Sequence, residues 1–160
     1  MRKVVVNTTP IIALAGIGQL DLLQNLYGEI LIPKAVCLEI ISEPARSLVD
    51  AALWIKVIRC NSSDERKSTF SSRLHAGEVE VLILAKDCGA DLLIIDDNAA
   101  KKTAKYLGFT VTGTMGVLLK AKREGYINAV KPLMKRLIED GLYISPMVQA
   151  YMLEAAEEQA

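Results

Sequence analysis

Residues 77–113 read GEVEVLILAKDCGADLLIIDDNAAKKTAKYLGFTVTG, and the fold turns on this stretch. GEVEVLILAKDCG has the apolar spacing of a helix and stops at Gly89, a residue that closes helices readily. ADLLIID is a short, wholly apolar run ending in acid, the pattern of a strand covered on both faces. DNAAKKTAKYLG reads as an amphipathic helix closed by Gly108, and FTVTG is again strand-like. Strands and helices alternating at these lengths predict β-α-β units and a mainly parallel sheet sandwiched between helices.

The same alternation extends toward the N terminus. KVVVN at 3–7 predicts a short buried strand, with Thr8 or Thr9 placed to cap a helix that begins near Pro10. Leu20, Leu22, Leu23 and Leu26 carry a helical pattern to Gly28; EILIP is strand-like and Pro33 opens the helix KAVCLEIIS. Pro44 restarts a helix through Trp54, IKVI at 55–58 predicts a strand, and CNSSDERKSTFSS at 60–72 predicts a loop. Toward the C terminus, Thr114 to Arg123, Asn128 to Asp140 and Pro146 to the end predict three more helices. The last has Met147, Val148, Tyr151, Met152 and Ala155 at helical spacing, a stripe expected to pack on the domain or to form a dimer seam across 145–160. The expected architecture is one α/β domain over residues 1–160, its sheet holding four to five strands.

Composition narrows the function. Nineteen basic and nineteen acidic side chains cancel, so no whole-molecule field drives indiscriminate binding to nucleic acid or membrane, and a site for a polyanion has to be local. Cys37, Cys60 and Cys88 lack metal-ligand spacing and are expected as reduced thiols in a cytoplasm. The apolar run after Met1-Arg2-Lys3 breaks at Asn7-Thr8-Thr9-Pro10, and no later segment offers about 18 uninterrupted apolar residues, so neither a signal peptide nor a membrane span is expected. No G-x-G-x-x-G follows the first strand and no G-K-[ST] occurs, so dinucleotide and P-loop nucleotide binding lack their parts.

Ligands of open α/β sheets sit beyond the carboxyl ends of the strands. There the sequence places Asn7-Thr8-Thr9, Asp96-Asp97 and Thr112-Gly113-Thr114, while the helices add Glu39, inside the apolar run AVCLEII, and Glu78, just after Gly77. A carboxylate in a hydrophobic stretch is costly without a partner or a cation, and Glu80 points nearly opposite to Glu78 on the same helix. Clustered carboxylates repel one another, and a hard dication such as Mg²⁺ or Mn²⁺ is the usual stabiliser. Such an ion lowers the pKa of bound water and neutralises a phosphate oxygen, which makes hydrolysis of nucleic acid the natural reaction. Each residue also has a plainer role: Glu78 as a first-turn acid, Asp96-Asp97 as a cap, Asn7 as a turn residue. Lys101, Lys102 and Lys105 could meet phosphates or merely form a solvated helix face, and the Thr112 to Gly116 turn could hold an anion on its N–H groups. His75 is expected as a surface group.

Three segments taken together resemble the PIN domain family, and within it a prokaryotic group close to VapC-type toxin ribonucleases. They are VVVNTTPIIALAGIGQLDLL, ILIPKAVCLEI, and LHAGEVEVLILAKDCGADLLIIDDNAAKKTAKYLGFTVTGTMGVLLKAKREGYI. The resemblance implies a three-layer α/β/α PIN-like sandwich and Mg²⁺- or Mn²⁺-dependent cleavage of RNA. It implies an acidic site of Asn7, Glu39, Glu78, Asp96 and Asp97, with Thr8 or Thr9 hydrogen-bonded to the first-strand ligand or a bound water. Lys101, Lys102, Thr112 and Thr114 are the further substrate-binding candidates. It also implies a homodimer and a separately encoded antitoxin-like protein that blocks the groove. Where the family pattern has Asp, this chain has Asn7, which offers a carbonyl oxygen without charge. The expectation is therefore an intact fold with weakened metal binding and reduced or lost nuclease activity, or else a non-catalytic module that binds RNA or protein. A phosphoacceptor fold would need a nucleophilic Asp after an early strand, which Asn7 cannot supply.

Overall fold

The computed structural model describes residues 2–59 and 74–159. In chain order the elements are β1 (Val4–Val6), α1 (Thr8–Gly16), α2 (Asp21–Tyr27), β2 (Ile30–Pro33), α3 (Lys34–Glu39), α4 (Ala45–Ala51) and β3 (Ile55–Ile58). They continue as α5 (Ala76–Cys88), β4 (Leu92–Ile94), α6 (Asn98–Tyr106), β5 (Val111–Thr112), α7 (Thr114–Arg123), α8 (Lys131–Glu139) and α9 (Pro146–Ala155). The five strands form one sheet in the order β3-β2-β1-β4-β5, and every neighbouring pair is parallel.

Continuous apolar runs end up where both faces are covered. Val4, Val5 and Val6 are wholly buried in the central strand, as are Leu93 and Ile94 beside them. Helix α5 packs against α3, β2 and β1, while α7 packs against α1, α2 and β5. The chain therefore builds a helix-covered α/β sandwich, as expected for a PIN-like fold. β1, β2 and β3 step outward in one direction, and the chain then returns to place β4 on the opposite side of β1. Such a reversal opens a crevice at the carboxyl ends of the two strands that flank it.

Several boundaries differ from the sequence-based expectation. Helix α1 starts at Thr8 rather than Pro10, with Asn7 in the N-cap position and no side-chain capping bond, so neither threonine is the cap. Helix α3 ends at Glu39, and α4 ends at Ala51, short of Trp54, because Ala52 is extended. Strand β5 pairs over only two residues. Cys37 is buried and Cys88 half-buried, both free; Cys60 and the loop expected at 60–72 lie outside the described residues.

The C-terminal stripe is split. Met152, Leu153 and Ala156 are buried, whereas Met147, Val148 and Tyr151 on the same helix are exposed, and α9 packs on α7. Glu158 secures this end: its Oε2 accepts from Lys122 Nζ (2.9 Å) and Val130 N (2.7 Å), and its Oε1 from Lys131 N (2.9 Å). Among the described residues no helix is long and apolar enough to cross a membrane.

Candidate functional site

The crevice between β1 and β4 is where the polar residues collect. Asn7 ends β1 in an extended conformation, is only 5% exposed, and donates its backbone N–H to Ile94 O (3.0 Å), which ties the ends of the two strands together. The next residue, Thr8, donates its hydroxyl to Glu39 Oε2 (3.2 Å) from the neighbouring helix α3. Glu39 is exposed, not buried as the surrounding apolar run suggested. It is the last residue of a helix of less than two turns, where the side chain leaves the core that Val36 and Cys37 enter. Solvation thus removes the burial penalty that had marked it out.

Gly77 explains how Glu39 fits. A Cβ at position 77 would lie 2.0 Å from Glu39 Oε1, so only glycine lets the start of α5 approach that carboxylate. One residue on, Glu78 is 6% exposed, and its Oε1 accepts from the His75 backbone N–H (2.9 Å), the acidic half of a capping box. Burial raises the Glu78 pKa above the usual carboxylate value; the His75 N–H pulls the other way, and the nearby negative charge of Asp97 pushes it further up. Glu78 and Asp97 are therefore neighbouring like charges. Asp97 also caps α6, its Oδ2 accepting from Ala100 N (2.8 Å), and is otherwise exposed.

Asp96 has a different occupation. Its Oδ1 accepts from Thr114 N (2.8 Å) and its Oδ2 from Thr114 Oγ1 (2.6 Å), so both oxygens are bound to the first residue of α7. The anion cradle expected at the Thr112 to Gly116 turn is real in kind, but an internal carboxylate fills it. Thr114 is fully buried and Thr112 lies against Gly116, where a Cβ would fall 2.0 Å from the Thr112 hydroxyl. Both hold the turn, Thr114 through its bonds to Asp96 and Thr112 by packing on Gly116. Gly113 is needed for the same reason, since a Cβ there would lie 2.6 Å from Asp96 Oδ1 and 3.1 Å from Lys101 Nζ.

The remaining candidates separate. Lys101 is half-buried near Asp96, Lys102 is exposed beside it on α6, and both border the same surface with Lys105. Thr9 is exposed and faces another cavity of about 500 Å³, lined by Ile12, Ser42, Pro44 and Asp140 and by none of the candidate acids. Glu80, on the far side of α5 from Glu78, accepts from Ala35 N (3.2 Å). Sequence reasoning did not single out the cap at His75 or the close approach at Gly77. The signal for the latter was available, because a glycine inside a helix costs about 1 kcal/mol relative to alanine and so asks for a steric reason.

The contacts link the candidates in pieces: Thr8 to Glu39, Glu39 to Gly77, Glu78 to Asp97, and the β4 backbone to Asn7. The five predicted residues do not form one ligand set. Among the described residues no three Asp, Glu, His or Cys side chains converge closely enough to hold an ion. What the geometry offers is one close pair, Glu78 with Asp97, whose side chains lie within hydrogen-bonding reach of each other while each also accepts from a backbone N–H. A hard dication suits that pair in number and in kind, since Mg²⁺ binds through one or two carboxylates and keeps several waters.

A search of curated proteins found no match. The family model DUF3368, described as a PIN domain, matches residues 3–158. The all-parallel sheet, the crevice beside its central strand and this nearly full-length match lead to one conclusion: the chain belongs to the PIN domain family, a nuclease-type fold whose members generally depend on a divalent metal.

Proposed function

We propose that this protein is a metal-dependent endoribonuclease of the PIN type, close in kind to the VapC-type toxins and attenuated by Asn7. The observation that carries this reading is the Glu78–Asp97 pair, in which a mostly buried carboxylate is kept beside a second one at the sheet's switch point. Glu78 and Asp97 would hold Mg²⁺ or Mn²⁺, with Glu39 and Asn7 nearby. A bound dication supplies a water of lowered pKa and neutralises charge on the scissile phosphate. Glu39 is exposed; among the described residues Thr8 bonds its Oε2, and its Oε1, beside Gly77, would orient a water and accept its proton. Lys101, near Asp96, and Lys102, beside it on α6, would pair with RNA phosphates. Asp96 acts through Asp97, fixing the turn that both acids share.

Asn7 lowers the negative charge facing the ion and so weakens its binding. Converting Asn7→Asp and assaying single-stranded RNA with Mn²⁺ or Mg²⁺ tests the proposal. Cleavage at least about tenfold faster in the Asp form, and lost with Glu78→Gln, is expected. Absence of cleavage in both forms, with both folded, overturns it in favour of a second reading, a non-catalytic module that binds RNA or protein. Asn7 is the feature that favours that alternative. The toxin-type reading carries with it a homodimer and an inhibitory antitoxin-like protein; light scattering on the purified chain checks the first.

A further inference from the structure

A groove of about 480 Å³ starts at Asp96 and Lys101 and runs along the C-terminal segment, lined by Met115, Tyr143, Val148 and Tyr151. Both of its tyrosines are exposed: Tyr143, between α8 and α9, is 84% exposed and Tyr151, on α9, is 66% exposed. Large rings left in water are expensive unless something covers them. Lys101 belongs both to this groove and to the basic surface of Lys102 and Lys105. Aromatic faces beside a run of ammonium groups are the combination that single-stranded nucleic acid uses, with bases stacked on rings and phosphates beside cations. Of the exposed aliphatic side chains, Val148 lines this groove and Met147 precedes it on α9, whereas Leu38, Ile41 and Leu53 are not part of its lining.

We propose that Tyr143 and Tyr151 form a base-stacking subsite for unpaired RNA, which leads the strand past Lys101 toward the acidic pair. The inference rests on the ribonuclease reading for the choice of RNA, but it concerns binding and can be tested without cleavage. Stacking needs an unpaired base, so the groove selects single strands over duplexes and is tolerant of sequence. The phenolic hydroxyl plays no part. Phenylalanine therefore suffices at both positions.

The test is fluorescence anisotropy of a short fluorescein-labelled oligoadenylate RNA with the full chain in EDTA, which separates binding from metal-dependent cleavage. Tyr143→Ala and Tyr151→Ala are each expected to weaken binding about tenfold, and Tyr→Phe at either site to leave it within about twofold. The same RNA annealed to its complement is expected to bind much more weakly. Thermal melting is expected to be unchanged, since both rings are exposed. Unaltered affinity in both alanine variants overturns the inference, and is the result expected if the groove serves a protein instead. Equal binding of duplex and single strand, or no binding by the unaltered chain, overturns it too. Tyrosine-dependent binding with no cleavage even after Asn7→Asp keeps the subsite and removes the catalytic reading; cleavage indifferent to both tyrosines does the reverse.

Discussion

Two of the helices that begin with a carboxylate at their N-terminal N–H groups, α5 and α7, use it in opposite ways. At α7 the acid comes from another element: Asp96, after β4, gives both oxygens to Thr114 and is consumed. At α5 the acid belongs to the helix itself, and Glu78 gives one oxygen to the His75 N–H while the other side of the carboxyl meets the charge of Asp97. Both arrangements exploit the partial positive charge of a helix start. Only the second leaves negative charge unspent, and that residue of charge is what a cation could use. Adjacent acids, Asp96 and Asp97, thereby take different partners, Asp96 in the scaffold and Asp97 in the site proposed above.

The comparison breaks most visibly at the anchor. Asp96→Ala strands the buried Thr114 N–H and hydroxyl and is expected to cost about 3 kcal/mol, read as a shift in urea midpoint. Next comes Gly113→Ala. The added methyl meets Asp96 at 2.6 Å and should cost about 1–2 kcal/mol, with a penalty that shrinks when combined with Asp96→Ala. Asp97→Ala removes only the cap of α6, worth about 1 kcal/mol, partly offset by relief of repulsion on Glu78. If denaturation ranks Asp97→Ala above Asp96→Ala, the assignment of anchor and reserve is inverted.

The smallest effect is a pH dependence at Glu78. A carboxyl whose folded pKa lies above its unfolded one costs stability only where it is ionised, so the penalty is absent below the ordinary glutamate range and grows as pH rises through the raised value. Glu78→Gln is expected to be near neutral at acidic pH and to stabilise by a few tenths of a kcal/mol at neutral pH. Melting temperatures of the two proteins across that interval should diverge upward with pH. Parallel curves would show that Glu78 carries no unrelieved charge.

Much of the architecture was legible because apolar strands bounded by Gly and Pro permit few alternatives: β1, β2, α5, β4 and α6 fall where periodicity puts them. The site was legible as a neighbourhood, since residues after parallel strands converge by topology alone. Partners within it were not. Glu39 reads as buried because Val36, Cys37 and Ile40 around it are, yet Leu38 is 63% and Ile41 is 81% exposed, so the local helix turns outward at a point that apolar letters cannot mark. Asp96 and Asp97 are chemically identical, and only the turn of the backbone after β4 decides which meets Thr114 and which meets Glu78. Gly77 shows the same limit, because its reason is a side chain from an element far away in sequence.

Direct titration with Mn²⁺, followed by calorimetry on the Asn7→Asp chain and on its Asp96→Asn, Asp97→Asn and Glu78→Gln derivatives, tests the central claim most closely. Asparagine at 96 can still accept from Thr114, so that derivative is expected to stay folded and bind Mn²⁺ within a fewfold of its parent. Asp97→Asn and Glu78→Gln are each expected to lose about tenfold or more in affinity. Loss of Mn²⁺ binding on folded Asp96→Asn, with Asp97→Asn unaffected, would contradict the account.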